Sequence, residues 1–305
     1  MIGGLVGRLV TRAGDELVVV DDHSEDATAA RAEAGGARVV EAPPLPDGWV
    51  GKTSACLAGV RATTAAILVF LDADTTPSAD LLDRLSSAVA AHPGSLVSVQ
   101  PWHVPGRPAE TPSMLFNVVS LMGSAGFTVA GRAGHGGRPL AFGPVLACRR
   151  DAYLAVGGHA HPDVRASVAE DIALGRCFGQ VELYTGRPDI TLRMYPEGFA
   201  QLVGGWTRTI STGAGSSRWW VVALTAAWMW SVAGGWLASP WWYLATVAQL
   251  GVFARRAGRF GPLVVLAVPF EVAVFVVVFA RSAVLRATGR DVAWKGRRVR
   301  PGDSR

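Results

Sequence analysis

The chain has 305 residues, of which 50% are hydrophobic and 17% are charged, and its mean hydropathy is +0.28. This apolar content exceeds that of an ordinary soluble domain and argues against a wholly soluble protein. Residues 1–200 carry a net charge of −5 and residues 201–305 a net charge of +10. Because the basic residues of the second part border apolar runs, we expect a membrane with anionic headgroups as its partner, and no nucleic acid.

The three cysteines are Cys56, Cys148 and Cys177, and none of them forms a CxxC pair. An odd number without that spacing supports neither a disulfide framework nor a zinc site. The first ten residues are too short and too weakly apolar for a secretory signal. We therefore expect reduced thiols and an N-terminal domain on the cytoplasmic side of the cell membrane.

Residues 1–217 alternate short β-branched runs with helical ones and are predicted to form one α/β domain. Apolar strands separated by helices favour a mostly parallel sheet with flanking helices on both faces. Ligands bind beyond the carboxyl ends of such strands, where this chain places its acidic clusters. The predicted strands are 17–20, 38–40, 67–71 and 96–99, and the predicted helices are 26–34, 53–64 and 79–91.

Residues 218–286 are predicted to form several transmembrane helices, followed by a basic tail over residues 287–305. Seven of the 11 tryptophans lie between Trp219 and Trp242, which is typical of an interfacial aromatic belt. A buried soluble helical bundle is the alternative. The candidate spans are 219–239, 240–254 and 262–280, of which the second is marginal in length.

Two further features bear on the membrane prediction. Pro269 and Glu271 mark the expected place for a break in the third span, since proline removes a helix donor and a carboxylate in hydrocarbon needs a partner. The uncharged run 114–130 is predicted either to lie on the membrane or to form an ordinary core helix.

The motif that indicates its chemistry most specifically is FLDAD at residues 70–74, where an apolar strand ends in two carboxylates. Alternation along a strand directs Asp72 and Asp74 to one side. Two hard oxygen ligands suit Mg²⁺ or Mn²⁺, which takes its remaining ligands from water and a substrate diphosphate. The alternative is a pair of solvated acids that ends a strand.

Three other segments place charge at predicted element ends. The segment VVVDDHSEDAT (18–28) ends a strand in an acidic pair, although Ser24 or Asp26 could simply cap the next helix. The loop DGWVGK (47–52) carries Lys52, a cation able to neutralise a diphosphate. In AEDI (169–172), Asp171 could act as a general base, and an acidic first helical turn is the alternative.

In this order, VVVDDHSEDAT, DGWVGK, FLDADT, GGH (157–159), AEDIALGR and GWTRTISTGA resemble the family 2 glycosyltransferases of the GT-A fold. The chain is most similar to the membrane-bound branch that includes the diaponeurosporenoate glycosyltransferases, and ceramide glucosyltransferases are more distant. The resemblance covers about residues 15–215. VAWKGR (292–297) resembles the closing motif of the branch.

The resemblance implies a nucleotide-sugar donor, a divalent cation and a role for each matching residue. The implied roles are uracil contact for Asp22, nucleotide contact for Lys52, metal binding for Asp72 and Asp74, substrate contact for Glu170, general base for Asp171, and closure over the donor for Trp206 and Arg208.

The implied reaction is an inverting displacement that moves a single hexose from UDP-glucose to a lipid or carotenoid acceptor. Polymer synthesis is disfavoured, because the segment from Gln201 to Trp206 lacks the Gln-x-x-Arg-Trp string of processive members. Family members also begin with a central strand and a PARNE-like loop, and neither is found here, so we expect the start methionine to be internal to a longer natural protein. The alternative functions are a catalytically impaired fragment and a membrane scaffold of a lipid-modifying complex.

Overall fold

The computed structural model describes residues 2–124, 140–185, 189–213, 219–288, 292–294 and 297–299. Within these residues the chain forms two compact units. The first comprises residues 2–101 and 140–192, and the second comprises residues 102–124 and 193–299. Lys52 and all five acidic residues of the predicted site belong to the first unit.

The first unit has the α/β class expected for a GT-A-like fold. The predicted strand 67–71 has the same bounds in the structure. The predicted strand 17–20 is shifted by one residue, and the strands 38–40 and 96–99 are each one residue longer at the C-terminal end. Its elements are α1 Ile2–Val6, β1 Val18–Asp21, α2 Thr28–Ala34, β2 Arg38–Glu41, α3 Gly51–Arg61, β3 Ile67–Leu71, β4 Thr75–Pro77, α4 Leu81–Ala91, β5 Leu96–Gln100, β7 Val145–Arg149, α6 Arg150–Ala155, α7 Pro162–Arg165, α8 Glu170–Phe178, β8 Val181–Thr185 and β9 Ile190–Leu192.

The strands pair in a mixed pattern, so the expectation of a mostly parallel sheet is wrong. Strand β1 pairs with β2 in parallel, and β4 pairs with β9 antiparallel. A four-stranded sheet has the order β3-β7-β5-β8, in which β7 is antiparallel to both neighbours and β8 is parallel to β5. Because β7 is antiparallel to β5, the chain enters β7 at the end of the sheet where β5 ends.

Within the described residues, β1 pairs only with β2, and β3 lies at the edge of the four-stranded sheet.

Side chains of the four-stranded sheet alternate between two cores, as the period of two in a strand requires. One core joins Leu68, Leu96 and Leu146 to Tyr153, and Phe70 packs against it. The other joins the intervening residues of these strands to helix α4. Asp72 continues the Leu68 and Phe70 series, so its side chain leaves the strand on the face that Tyr153 covers.

The second unit is mainly helical. Its elements are β6 Trp102–His103, α5 Ser113–Ser124, α9 Phe199–Gly213, α10 Trp219–Ala238, α11 Pro240–Ala257, α12 Pro262–Leu266, α13 Val268–Ala287, β10 Val292–Trp294 and β11 Arg297–Val299. The run predicted as one span over 262–280 is broken at Ala267, two residues before Pro269. A proline fits the first turn of a helix but not its interior, so the chain restarts a helix there.

Among the described residues, one helix is long and apolar enough to cross a membrane, over Val268–Leu285. The finding supports one of the predicted spans and does not extend to a multi-pass topology. The predicted run 114–130 is helical over Ser113–Ser124, and its remainder lies outside the described residues. In that helix Met114 and Leu115 are fully buried in the apolar core of the second unit, as expected for a core helix.

Candidate active site

The turn after β3 fixes the backbone of the acidic motif. The amide and the hydroxyl of Thr75 both donate to the carbonyl oxygen of Asp72, at 3.1 and 2.8 Å. The amide of Asp72 donates to the carbonyl of Pro144 at 3.0 Å, which joins the turn to the start of β7. Asp72 therefore stands at a rigid strand end, and Asp74 is exposed in the same turn.

Lys52 lies in the first turn of α3, and its ammonium bridges two carboxylates. Its Nζ atom is 2.8 Å from Oδ1 of Asp72 and 2.8 Å from Oε1 of Glu170. Thr53 anchors this turn, because its hydroxyl contacts the carbonyl oxygens of Val50 and Arg165 at 2.7 and 2.8 Å. Three distant stretches of the sequence thus meet at one cation.

The charge state of Lys52 follows from its surroundings. Burial lowers the pKa of the ammonium, but the nearby carboxylates of Glu170 and Asp72 outweigh that effect and hold the pKa well above its ordinary value. Lys52 is therefore a cation at neutral pH.

Asp171 lies beside Glu170 in the first turn of α8. Its carboxylate accepts a backbone hydrogen bond from Ile172 at 2.9 Å and another from Gly143. A Cβ atom at position 143 would lie 3.0 Å from Oδ2 of Asp171, a tight contact that glycine avoids. Burial and the neighbouring Glu170 raise the pKa of Asp171, whereas Lys52 opposes the rise. A carboxyl group in this state can accept a proton near neutral pH.

The Gly-Gly-His motif supports the same face of the sheet. The backbone amide of His159 donates to the hydroxyl of Tyr153 at 2.8 Å, and the imidazole Nδ1 lies 2.9 Å from that oxygen. The His159 ring also meets Phe70 edge-on, with 5.2 Å between centroids. Burial, with a smaller contribution from Lys52, lowers the pKa of His159 to about 4, so the imidazole is neutral.

Asp22 ends up at the carboxyl end of β1, where it is exposed. The next residue, His23, has a φ of 59°, a left-handed conformation that is uncommon outside glycine. Strand β1 packs against α3, the helix that carries Lys52, through a close approach of Val20 to Gly59. Asp22 therefore follows the strand that packs against the helix of Lys52, and its predicted uracil contact stays a prediction.

Trp206 and Arg208 belong to helix α9 of the second unit. The Trp206 ring is 3% exposed and stacks on Phe116 with 5.0 Å between centroids. Its indole nitrogen donates to the hydroxyl of Ser113 at 3.3 Å. Trp206 thus contributes to the core of that unit, and the predicted closure of both residues over the donor stays a prediction.

The residues present fit a divalent cation of the magnesium class. Among the described residues no group of three or more His, Cys, Asp or Glu side chains could hold a metal by itself. Mg²⁺ does not require such a group, because it is usually held by one or two carboxylates together with substrate phosphates and water. Asp72 and Asp74 supply that donor set, and both remain predicted ligands.

The chain matches the family model for glycosyl transferase family 2 over residues 5–153. It is 32% identical to the 4,4'-diaponeurosporenoate glycosyltransferase of Staphylococcus haemolyticus (strain JCSC1435), over 92% of this chain and 80% of that one. The enzyme of the same name from Staphylococcus aureus (strain MRSA252) is also 32% identical, with the same coverage.

Among solved structures, glucosyl-3-phosphoglycerate synthase from Mycobacterium tuberculosis in complex with phosphoglyceric acid is 20% identical, with a TM-score of 0.44 over 69% of this chain and 72% of that one. Similarity at this level carries no argument about function. The family model and the curated relatives suffice: the chain is a glycosyltransferase that belongs to glycosyl transferase family 2. The relatives that establish this are diaponeurosporenoate glycosyltransferases.

The tight contact behind the Gly-Gly-His motif can be tested by substitution. Gly158 has a φ of 50°, and a Cβ atom there would lie 2.2 Å from the Tyr153 ring. We expect Gly158→Ala to lower the free energy of unfolding by about 2 to 5 kcal/mol, from backbone strain and overpacking.

Gly179→Ala is the matched control, since Gly179 has a φ of 72° and open space around it. It should cost only about 1 kcal/mol. Chemical denaturation of the purified chain measures both values. Equal losses in the two variants would contradict a packing role for Gly158.

Proposed function

We propose that the chain transfers a single hexose from a nucleotide sugar, UDP-glucose, to a lipid or carotenoid acceptor by a single inverting displacement. The observation that carries the proposal is the bridge from Lys52 to Asp72 and Glu170, with the carboxyl group of Asp171 next to it. This arrangement offers a cation for a leaving diphosphate and a proton acceptor for the incoming group. The named activity of the relatives supports the acceptor class.

The donor side of the site would be formed by Asp72, Asp74 and Lys52. A bound Mg²⁺ or Mn²⁺ would neutralise the diphosphate as it leaves. Two of the three ammonium protons of Lys52 face Asp72 and Glu170, and its side chain remains 42% exposed. The third proton is available for a phosphate oxygen, so Lys52 can bind the donor without leaving Glu170.

The acceptor side would be formed by Asp171. The acceptor oxygen attacks the anomeric carbon as the bond from that carbon to the diphosphate oxygen breaks, and the electron pair departs with UDP. Asp171 takes the proton of an acceptor hydroxyl during this step. The two backbone hydrogen bonds from Gly143 and Ile172 hold the carboxylate in one orientation.

The second unit supports a lipid-soluble acceptor. Its candidate span over Val268–Leu285 is accompanied by large apolar side chains that stay exposed, such as Trp219 at 81% and Trp230 at 80%. Exposed apolar surface of this kind marks a membrane or a ligand-binding surface. We infer attachment to the cell membrane through several helices, with the first unit on the cytoplasmic side, so that the acceptor arrives laterally from the bilayer.

The role of Asp171 gives the first test. Asp171→Asn keeps the size of the side chain but removes the base, and we expect kcat for a hydroxyl acceptor to fall roughly 10²–10⁴-fold. Asp163→Asn is the matched control, because Asp163 is an exposed acid on the neighbouring helix α7. Transfer of labelled hexose by full-length membranes with Mn²⁺ measures both. Equal rates for the two variants would contradict the assignment.

Donor binding separates the transferase from a membrane scaffold. Calorimetry of the purified chain with UDP and Mn²⁺ should give a binding heat that Asp74→Ala abolishes. A chain that gives no heat with UDP in the presence of Mn²⁺ is a scaffold or an impaired fragment instead.

The raised pKa of Asp171 predicts a pH dependence. The active form is the carboxylate, so kcat/KM rises as the pH passes upward through this pKa. Because Glu170 is one cause of the raised pKa, Glu170→Gln should move the acid limb to lower pH. Glu33→Gln, at an exposed acid of helix α2, should leave the limb in place. The dependence of kcat/KM on pH, measured on both variants, tests this prediction. An acid limb that moves to higher pH in Glu170→Gln would contradict it.

A further inference from the structure

The two carboxylates that Lys52 bridges differ in their access to solvent. The side chain of Glu170 is 7% exposed, whereas that of Asp72 is 33% exposed. A buried carboxylate without a partner is costly, while an exposed one can exchange its partner for water or another cation. The pair with Glu170 is therefore the permanent one, and the pair with Asp72 is the exchangeable one.

The position of Lys52 in its own helix is unfavourable. It lies in the first turn of α3, where the partial positive charge of the helix N-terminus repels a cation. Glu170 and Asp171 lie in the first turn of α8, where the same effect favours carboxylates. The ion pairs with Asp72 and Glu170 therefore have to offset the unfavourable position of Lys52 in its helix. These two acids, and not the stability of α3, explain why a lysine is found there.

We propose that Lys52 is a positioning residue that serves as the internal counter-ion of the donor-free site, where its ammonium pairs with Asp72 and Glu170, and that it gives up Asp72, but not Glu170, when a divalent cation arrives. The proposal rests on the proposed function, since it concerns the cation that the donor brings. It adds that the ammonium of Lys52 and the divalent cation compete for the carboxylate of Asp72.

The competition has a size that a lysine bound only to phosphate would not produce. If Lys52 did not pair with Asp72, its removal would relieve only a screened repulsion and would tighten cation binding in the absence of nucleotide only slightly. If it occupies Asp72, its removal frees that carboxylate and tightens cation binding. A neighbouring charge shifts an ionic equilibrium by about one to three powers of ten when close and desolvated, and solvent exposure at Asp72 reduces the effect.

The experiment uses the full chain in detergent micelles without nucleotide. Mn²⁺ is titrated and its free fraction is followed by electron paramagnetic resonance. Lys52→Met should bind Mn²⁺ roughly fivefold to tenfold more tightly than the unsubstituted chain. Arg61→Met is the matched control, because Arg61 is an exposed cation at the other end of α3. It should leave the affinity unchanged.

Thermal unfolding in EDTA provides the second readout. Without a counter-ion the acids of the site repel one another, so Lys52→Met should unfold at a lower temperature, and added Mn²⁺ should restore stability more in this variant than in the unsubstituted chain. Lys52→Arg keeps the charge and should resemble the unsubstituted chain in both measurements. If Lys52→Met folds only in the presence of Mn²⁺, that result supports the proposal as well.

The proposal is overturned if Lys52→Met binds Mn²⁺ with unchanged or lower affinity, or if its stability in EDTA equals that of the unsubstituted chain. These outcomes differ from a failure of the proposed function. A chain that binds Mn²⁺ as expected but transfers no hexose refutes the transferase activity and leaves the counter-ion role intact.

Discussion

The electrostatic constraint on the first unit is that three carboxyl groups have to coexist in a small, partly buried space. Asp72 follows strand β3, whereas Glu170 and Asp171 belong to helix α8. Repulsion between their negative charges would drive the strand and the helix apart. The ammonium of Lys52, 2.8 Å from two of the carboxyl groups, makes the arrangement stable. The remaining excess of negative charge is relieved at Asp171, whose raised pKa allows a proton to be held there.

The fold delivers these groups by simple geometric rules. The period of two in β3 puts Asp72 on the face that already carries Leu68 and Phe70, and the antiparallel β7 brings the Pro144 carbonyl to its amide. Helices α3 and α8 both begin at this face, and each contributes its first turn. Lys52 of α3 pairs with Glu170 of α8 and with Asp72. Because Asp72 is fixed at the end of β3, the ammonium has a partner whose position does not depend on either helix.

Local patterns sufficed to predict β1, β2, β3 and β5 and to single out the charged motifs, because β-branched runs and strand-end acids are encoded within a few residues. They did not predict β4, β7, β8 or β9. Contacts between distant segments were not predictable in the same way. Gly143 carries no motif, and its hydrogen bond to Asp171 depends on how β7 enters the sheet. The antiparallel direction of β7 has no signal in the residues of the strand itself. The Gly-Gly-His motif is recognisable only by its resemblance, because its contact with Tyr153 is a tertiary one.

If Asp171 faces the acceptor, as proposed, its raised pKa also decides how each kind of acceptor could react. An acceptor hydroxyl needs a base, and a carboxyl group with a raised pKa can take its proton near neutral pH. An acceptor that arrives as a carboxylate needs no base, and an ionised Asp171 would repel it. A protonated Asp171 removes that repulsion, so the same raised pKa makes either acceptor compatible with the site. The two cases differ in which form of Asp171 is productive, because transfer to a hydroxyl requires the carboxylate and transfer to a carboxylate is favoured by the acid.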